Sequence, residues 1–236
     1  MCSSDLTITH GGGAAPNVVP AFAEVFFYVR HPKAETVSKI YPRLLKCAQA
    51  GALATETKLE TVYLGGTLEL LPNDTLARLA KENLTRLCDI RYDAEETKFA
   101  LRLQETFADK YALENAGRVF DASGGTTMGS TDVGDVSWVV PTTGFSAACW
   151  VPGTPGHSWQ AVAAGGMTIG KKGMLLAAKT LAATAWDLFT DVDRVRVAKT
   201  EFHNRLEGRK YEPLLLKDQA PPLDYRDPPK RGKSSE

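Results

Sequence analysis

Four histidines stand in this 236-residue chain, His10, His31, His157 and His203, and their neighbours separate them at once. His203 lies among Lys199, Glu201, Asn204 and Arg205 and reads as a residue on a solvated helix face. His31 precedes Pro32 at the end of a strand-like stretch and reads as a turn residue, and His10 abuts three glycines. His157 is different: Gly153-Thr154-Pro155-Gly156-His157-Ser158-Trp159 follows an apolar stretch and precedes a glycine-rich helix entry. A neutral imidazole there has two readings, a structural histidine or a metal ligand. Asp132 and Asp135 sit in Gly129-Ser130-Thr131-Asp132-Val133-Gly134-Asp135-Val136-Ser137-Trp138. There a carboxylate can orient a metal-bound histidine, hold a substrate amine, or simply cap its own loop. Arg30 ends a stretch carrying Phe22, Phe26 and Tyr28. It either snorkels to water or presents its planar fork to a carboxylate, a charge-assisted bond of about 1.5–3 kcal/mol. Glu95-Glu96 looks like an acid–base pair, but its place at a helix start favours a role as helix-terminal charges. Neither Gly11–Gly13 nor Lys171-Lys172-Gly173 has the pattern of a phosphate loop.

Elements must position these groups. Thr7–His10 and the alternating Ala21–Arg30 read as strands, and Ala34–Ala50 as a helix ending at Gly51 and kinked by Pro42. Thr57–Leu64 reads as a further strand. Asp74 is the expected cap of a helix to about Leu87, and a second helix is expected over about Ala94–Asn115. Asp121–Asp135 reads as a loop, Val136–Val140 and Gly144–Val151 as short buried strands, and Pro152–Gly170 as an irregular loop. Helices are expected over Lys171–Thr190 and about Asp193–Leu206, the latter stopped by Gly208. The proline-rich segment from Lys217 is expected to be disordered. The fold class is α/β, with an α+β module over residues 1–70, an α/β layer over 71–215 and a tail over 216–236.

Composition narrows the partners. Lys+Arg and Asp+Glu are 28 each, so no global basic field gathers nucleic acid or an anionic membrane. No run approaches the roughly 18 apolar residues of a membrane span. The N-terminus lacks a secretory pattern, and the four cysteines form no CxxC pair, so a reduced, cytoplasmic protein is expected.

Several segments taken together resemble a known family. Asn17-Val18-Val19-Pro20 followed by Arg30 resembles the lid domain of the zinc aminoacylase/carboxypeptidase family, metallopeptidase family 20. The Gly129–Trp138 block, Gly153–Gln160 and Ile169-Gly170-Lys171-Lys172-Gly173-Met174 are similar to its branch of amidohydrolases acting on substrates of the p-aminobenzoyl-glutamate kind. The resemblance runs from about Thr7 to Leu215. It implies the second half of an α/β catalytic domain preceded by part of an α+β lid that forms a homodimer or heterodimer. It also implies two divalent metal ions, zinc or manganese, and a metal-activated water that cleaves the amide of an N-acyl or N-aroyl amino acid. On the same resemblance His157 matches a metal ligand, and Asn17 and Arg30 match lid residues that contact the substrate, Arg30 holding its carboxylate. Ser130-Thr131-Asp132-Val133 departs from the Ser-Glu-Asp-Phe of many relatives, which leaves Asp132 and Asp135 with at most a supporting place around a ligand. The family's His-x-Asp and Glu-Glu pairs have no match here, so the general base is expected in a missing N-terminal half. The competing expectation is a non-catalytic subunit or binding fragment without a complete metal centre.

Overall fold

The computed structural model describes residues 3–12, 15–121, 124–127 and 129–223. Strands β1 (Ser3–His10) and β2 (Glu24–Arg30) are followed by helices α1 (Ala34–Ala54), α2 (Asp74–Leu87) and α3 (Ala94–Gln104) and a 3-10 turn (Leu113–Gly117). Helices α4 (Val133–Ser137), α5 (Trp159–Gly165), α6 (Thr168–Thr190) and α7 (Val192–Leu206) complete the order. The chain divides into two compact units: Met1–Leu70 with Thr126–Asp135 and Tyr211–Glu236, and Leu71–Gly125 with Val136–Lys210.

In the first unit β1 and β2 pair antiparallel, with Asp5 opposite Tyr28 and Thr7 opposite Phe26. The alternation of aromatic and β-branched residues in β2 is what a pleated surface selects. Helix α1 starts after Pro32, with the Ala34 N–H donating to Glu69 Oε2 at 2.9 Å. It continues past Gly51 to Ala54, with Pro42 inside it. Thr57–Leu64 is not a strand. A strand exists only where a neighbour completes its ladder, and here the backbone bonds elsewhere: Gln219 Nε2 donates to the Tyr63 carbonyl at 2.8 Å and the Leu64 carbonyl at 3.1 Å. The Tyr63 hydroxyl donates to the Leu214 carbonyl. Through the same bonds Gln219, within the segment expected to be a tail, meets the backbone of Tyr63 and Leu64. Residues 224–236 of that expectation lie outside the described residues.

The second unit is helical. Asn73 rather than Asp74 caps α2: its side chain accepts from the Leu76 N–H at 3.0 Å while its amide donates to the Ala198 carbonyl at 2.9 Å. Asp93 and Glu96 form a capping box at the start of α3. That helix stops at Gln104, well before Asn115, where Thr106 folds its N–H and hydroxyl back onto the Leu103 carbonyl. Ala100, Leu103, Phe107, Val151, Ala164 and Ile169 form one apolar core, and Leu84, Ile90, Ala116 and Leu176 a second. The expected strands Val136–Val140 and Gly144–Val151 are absent. Val136 and Ser137 end α4, and the N–H groups of Val139 and Val140 turn back to the Val136 carbonyl. The expected loop Pro152–Gly170 contains α5 and the start of α6, capped by Ser158, which accepts from the Ala161 N–H at 3.2 Å. Among the described residues the sheet has two strands. The fold is therefore mixed α and β, with helix predominating.

Candidate functional site

Arg30 is the last residue of β2, and the register explains its neighbours. Asp5 lies opposite Tyr28, so Arg30 is its diagonal partner two positions on, within reach of a long side chain. The Arg30 Nε stands 2.8 Å from Asp5 Oδ2. Its Nη1 donates to Ser130 Oγ at 3.0 Å, and its guanidinium lies 5.1 Å from the centre of the Tyr28 ring. Phe26 meets Tyr28 edge to face at 5.0 Å on the same strand face. The result is a guanidinium held along one edge and at one tip above an aromatic floor. Planar, multiply tethered guanidinium is the geometry that recognises carboxylates and phosphates.

Ser130 opens the loop carrying both aspartates. Asp132 is exposed and Asp135 half-buried. Burial first, then the Asp135 carboxylate and its hydrogen bond, push the Tyr211 hydroxyl above its ordinary pKa, so Asp135 is engaged by Tyr211. Gly134 fixes the loop's path: a Cβ there would lie 2.1 Å from the Leu68 carbonyl oxygen. Asn17 is exposed in a turn closed by the Val18 N–H on the Ala15 carbonyl at 3.2 Å.

His157 belongs to the second unit. Its loop is anchored at the base, where Val151 is fully buried and Gln104 Nε2 donates to the Pro152 carbonyl at 3.0 Å and the Tyr111 carbonyl at 2.7 Å. Gly153, at φ 92°, packs so closely that a Cβ would lie 2.9 Å from the Asp109 carbonyl oxygen. From this base the chain rises to an exposed His157 at φ 54°, then descends into the Ser158 cap. A non-glycine residue in the left-handed region stores of order 1–3 kcal/mol and persists only where its surroundings impose it. Beside the loop, α3 and the α5–α6 junction enclose an open groove of about 740 Å³ lined by Glu96, Phe99, Arg102, Trp159, Met167 and Ile169.

The structure thus joins Arg30 to the Gly129–Trp138 loop through Ser130, and places Asn17 and His157 at exposed turns. Among the described residues no three His, Cys, Asp or Glu side chains are grouped to hold a metal ion. The residues present therefore do not by themselves fit a metal centre. Asp5 and Gln104 are the participants that sequence reasoning missed. Asp5 gave no signal beyond its place two residues before Thr7. Gln104 did give one, as a polar residue in the apolar stripe of Ala100, Leu103 and Phe107.

Over 240 aligned residues the chain is 35% identical to one subunit of the p-aminobenzoyl-glutamate hydrolase of Escherichia coli (strain K12), covering 91% of this chain and 50% of that protein. The chain is a homologue of the family 20 peptidases. It is also 27% identical over 208 residues to the Xaa-Arg dipeptidase of Mus musculus, covering 85% of this chain and 40% of that enzyme. To the Xaa-Arg dipeptidase of Homo sapiens it is 26% identical over 208 residues, with 86% and 41% covered. No protein-family model matches the chain. The chain spans about half the length, or less, of the curated relatives it matches. Among the described residues no helix is long and apolar enough to cross a membrane.

Proposed function

We propose that this chain is part of a hydrolase that cleaves the amide bond of an N-acyl or N-aroyl amino acid of the p-aminobenzoyl-glutamate kind. Its share of the work is to hold the amino acid's carboxylate on Arg30. The observation that carries this reading is the Arg30 cluster: a guanidinium at a strand end, tethered by Asp5 and Ser130, over Tyr28. The 35% identity to a hydrolase named for p-aminobenzoyl-glutamate supports the substrate class. Residues 1–70 then act as part of a lid through which the enzyme dimerises, and 71–215 as the second half of a catalytic layer. Asn17 contacts the substrate beside Arg30. Family 20 peptidases are generally metal-dependent, and His157 offers one exposed imidazole toward such a centre, with Asp132 and Asp135 as supporting carboxylates. The described residues do not assemble a ligand group of their own, so the role assigned to this chain is substrate binding rather than a metal-borne step.

The test replaces the matched segment of the E. coli hydrolase with these 236 residues and measures turnover of p-aminobenzoyl-glutamate. Arg30→Lys keeps the charge but loses the planar fork, and a fall in kcat/KM of about tenfold or more is expected, the scale of one charge-assisted hydrogen bond. Arg30→Ala should fall further and should no longer discriminate against a substrate whose carboxylates are amidated. Unchanged kcat/KM in Arg30→Ala defeats the reading.

A further inference from the structure

The groove between α3 and the α5–α6 junction has a polar floor. Glu96 there is 5% exposed and ties the two walls together. Its Oε2 accepts from the Asp93 N–H at 2.9 Å and from Lys172 Nζ, on α6, at 2.5 Å. Lys172 donates also to the Arg91 carbonyl at 2.8 Å, and Gln160 of α5 donates to the Thr106 hydroxyl, just past α3, at 3.3 Å. Burial by itself raises the Glu96 pKa, but Lys172, Thr168 and the Asp93 N–H outweigh it and keep the carboxylate ionised. Its other oxygen, Oε1, is buried without a hydrogen-bond partner among the described residues. An acceptor left so is costly, and a ligand or water that brings a donor relieves the cost. The groove's volume of about 740 Å³ is that of a small-molecule site.

What surrounds Oε1 defines the donor. A neutral N–H suits it better than a second ammonium, because Lys172 already neutralises Glu96 and would repel another cation. Glu96, Phe99 and Arg102 stand three residues apart in one row of α3, all lining the groove. Acceptor, ring and guanidinium thus follow one another over about 9 Å of helix axis, at about 1.5 Å per residue. Lys98, one turn before Arg102, adds a second cation, and Trp159 and Met167 supply apolar surface from the opposite wall. Glu105, the next residue in the row, opposes a second anionic group. We propose that this groove binds an aromatic carboxylate whose ring carries a neutral amine at its far end. The amine donates to Glu96 Oε1, the ring lies between Phe99 and Trp159, and the single carboxylate meets Arg102. An aminobenzoate of this kind is the acyl product that the hydrolysis proposed above releases, and only that link to turnover rests on the proposed function.

Calorimetric titration of the 236-residue chain with p-aminobenzoate tests this without any turnover. Saturable one-to-one binding is expected. Benzoate lacks the donor and p-aminobenzamide lacks the charge, so each should bind about tenfold more weakly or worse, the scale of one hydrogen bond to a charged group. Arg102→Gln should weaken p-aminobenzoate about tenfold and leave p-aminobenzamide unchanged. Glu96→Gln should abolish the preference for p-aminobenzoate over benzoate. Because Glu96 also caps α3, Trp159→Ala is the second variant: the residue is 62% exposed, so the unfolding midpoint should hold while affinity falls about tenfold. No saturable binding by wild type overturns the proposal, as do benzoate binding equally well and an Arg102→Gln variant that binds like wild type. Tighter binding of benzylamine overturns it in favour of a cation site, and displacement of p-aminobenzoate by glutamate in favour of a site for the amino acid. The two tests fail separately: unchanged kcat/KM in Arg30→Ala defeats the proposed function and leaves this titration as it was, whereas absent binding defeats the groove alone.

Discussion

Helices α6 and α7 follow one another in the chain and pack together, yet they join the second unit by opposite means. Helix α7 is held by polar anchors. Glu201 accepts from the N–H groups of Asp74 and Thr75 at 2.7 and 2.9 Å and from the Thr75 hydroxyl at 2.6 Å, and Arg205 lies 3.0 Å from it. Its carboxylate thus satisfies free donors at the start of α2, where the helix dipole also favours negative charge. Helix α6 is held by close backbone approach. A Cβ on Gly170 would lie 2.2 Å from the Gly165 carbonyl oxygen, and one on Gly173 would lie 2.5 Å from the Ala148 carbonyl oxygen. The outer faces differ in the same sense. On α7 the exposed residues are mostly charged or polar, among them Asp193, Arg194, Arg196, Lys199 and His203; on α6, apart from Lys171, Lys179 and the threonines at its two ends, they are alanine, leucine, methionine and aromatics. The difference teaches that exposure alone does not identify an outer layer. The chemistry of the exposed face does.

Breaking the α6 contact should have the largest effect. Gly173→Ala gains about 1 kcal/mol of helix propensity but drives a methyl to 2.5 Å from the Ala148 carbonyl oxygen, a backbone group that cannot swing aside, and to 2.7 Å from the Cys149 sulfur. A net loss of about 2 kcal/mol or more in urea unfolding is expected, and a neutral or stabilising result would show that the segment before Val151 yields.

Next comes the α7 anchor. Glu201→Gln keeps the shape but gives up charge-assisted bonds to three donors, so a loss of about 1.5–3 kcal/mol is expected. Burial by itself raises the Glu201 pKa, but the bonds from Thr75 and Asp74 and the charge of Arg205 outweigh it and hold the group below its ordinary 4.5. A lowered carboxylate pKa contributes stability that is complete above the unfolded value and disappears as pH falls through the folded one. The gap in unfolding midpoint between wild type and Glu201→Gln should therefore be constant from pH 7 to about pH 5.5 and close progressively below 4.5. A gap that persisted at pH 3 would assign Glu201 a purely steric place.

The sequence revealed these helices more readily than what surrounds them. The long periodic stretches were legible: α2, α6 and α7 lie within three residues of the expected bounds, because an amphipathic or apolar repeat over four turns outweighs local exceptions. Short apolar runs were not. Val136–Val140 and Gly144–Val151 have strand-like composition, but a strand needs a partner, and composition is silent about whether one is present. Helix α5 was hidden by its glycines and alanines, although Ser158 three residues before Ala161 was a readable cap. At the site, Arg30 was singled out by type and place. Asp5 and Ser130 were invisible as its tethers, because strand register and a separation of 100 residues bring them together.

The smallest expected effect sharpens the comparison most. Arg196 on α7 pairs with Asp193 at 3.0 Å, both side chains 72% exposed, and such pairs contribute between nothing and about 1 kcal/mol. Phe189 on α6 is more exposed still, at 91%. Arg196→Ser and Phe189→Ser should each shift folding stability by about 0.5 kcal/mol or less, as substitutions at sites without packed neighbours do. By stability the two positions are then indistinguishable. Association separates them, because apolar area drives it whereas solvated charge opposes it. Phe189→Ser should lower the tendency of the chain to self-associate, read as the concentration dependence of its sedimentation or light scattering, and Arg196→Ser should leave it unchanged or raise it slightly. If the two variants associate alike, the exposed face of α6 is as well accommodated by water as that of α7, and the contrast between the helices is one of composition without consequence.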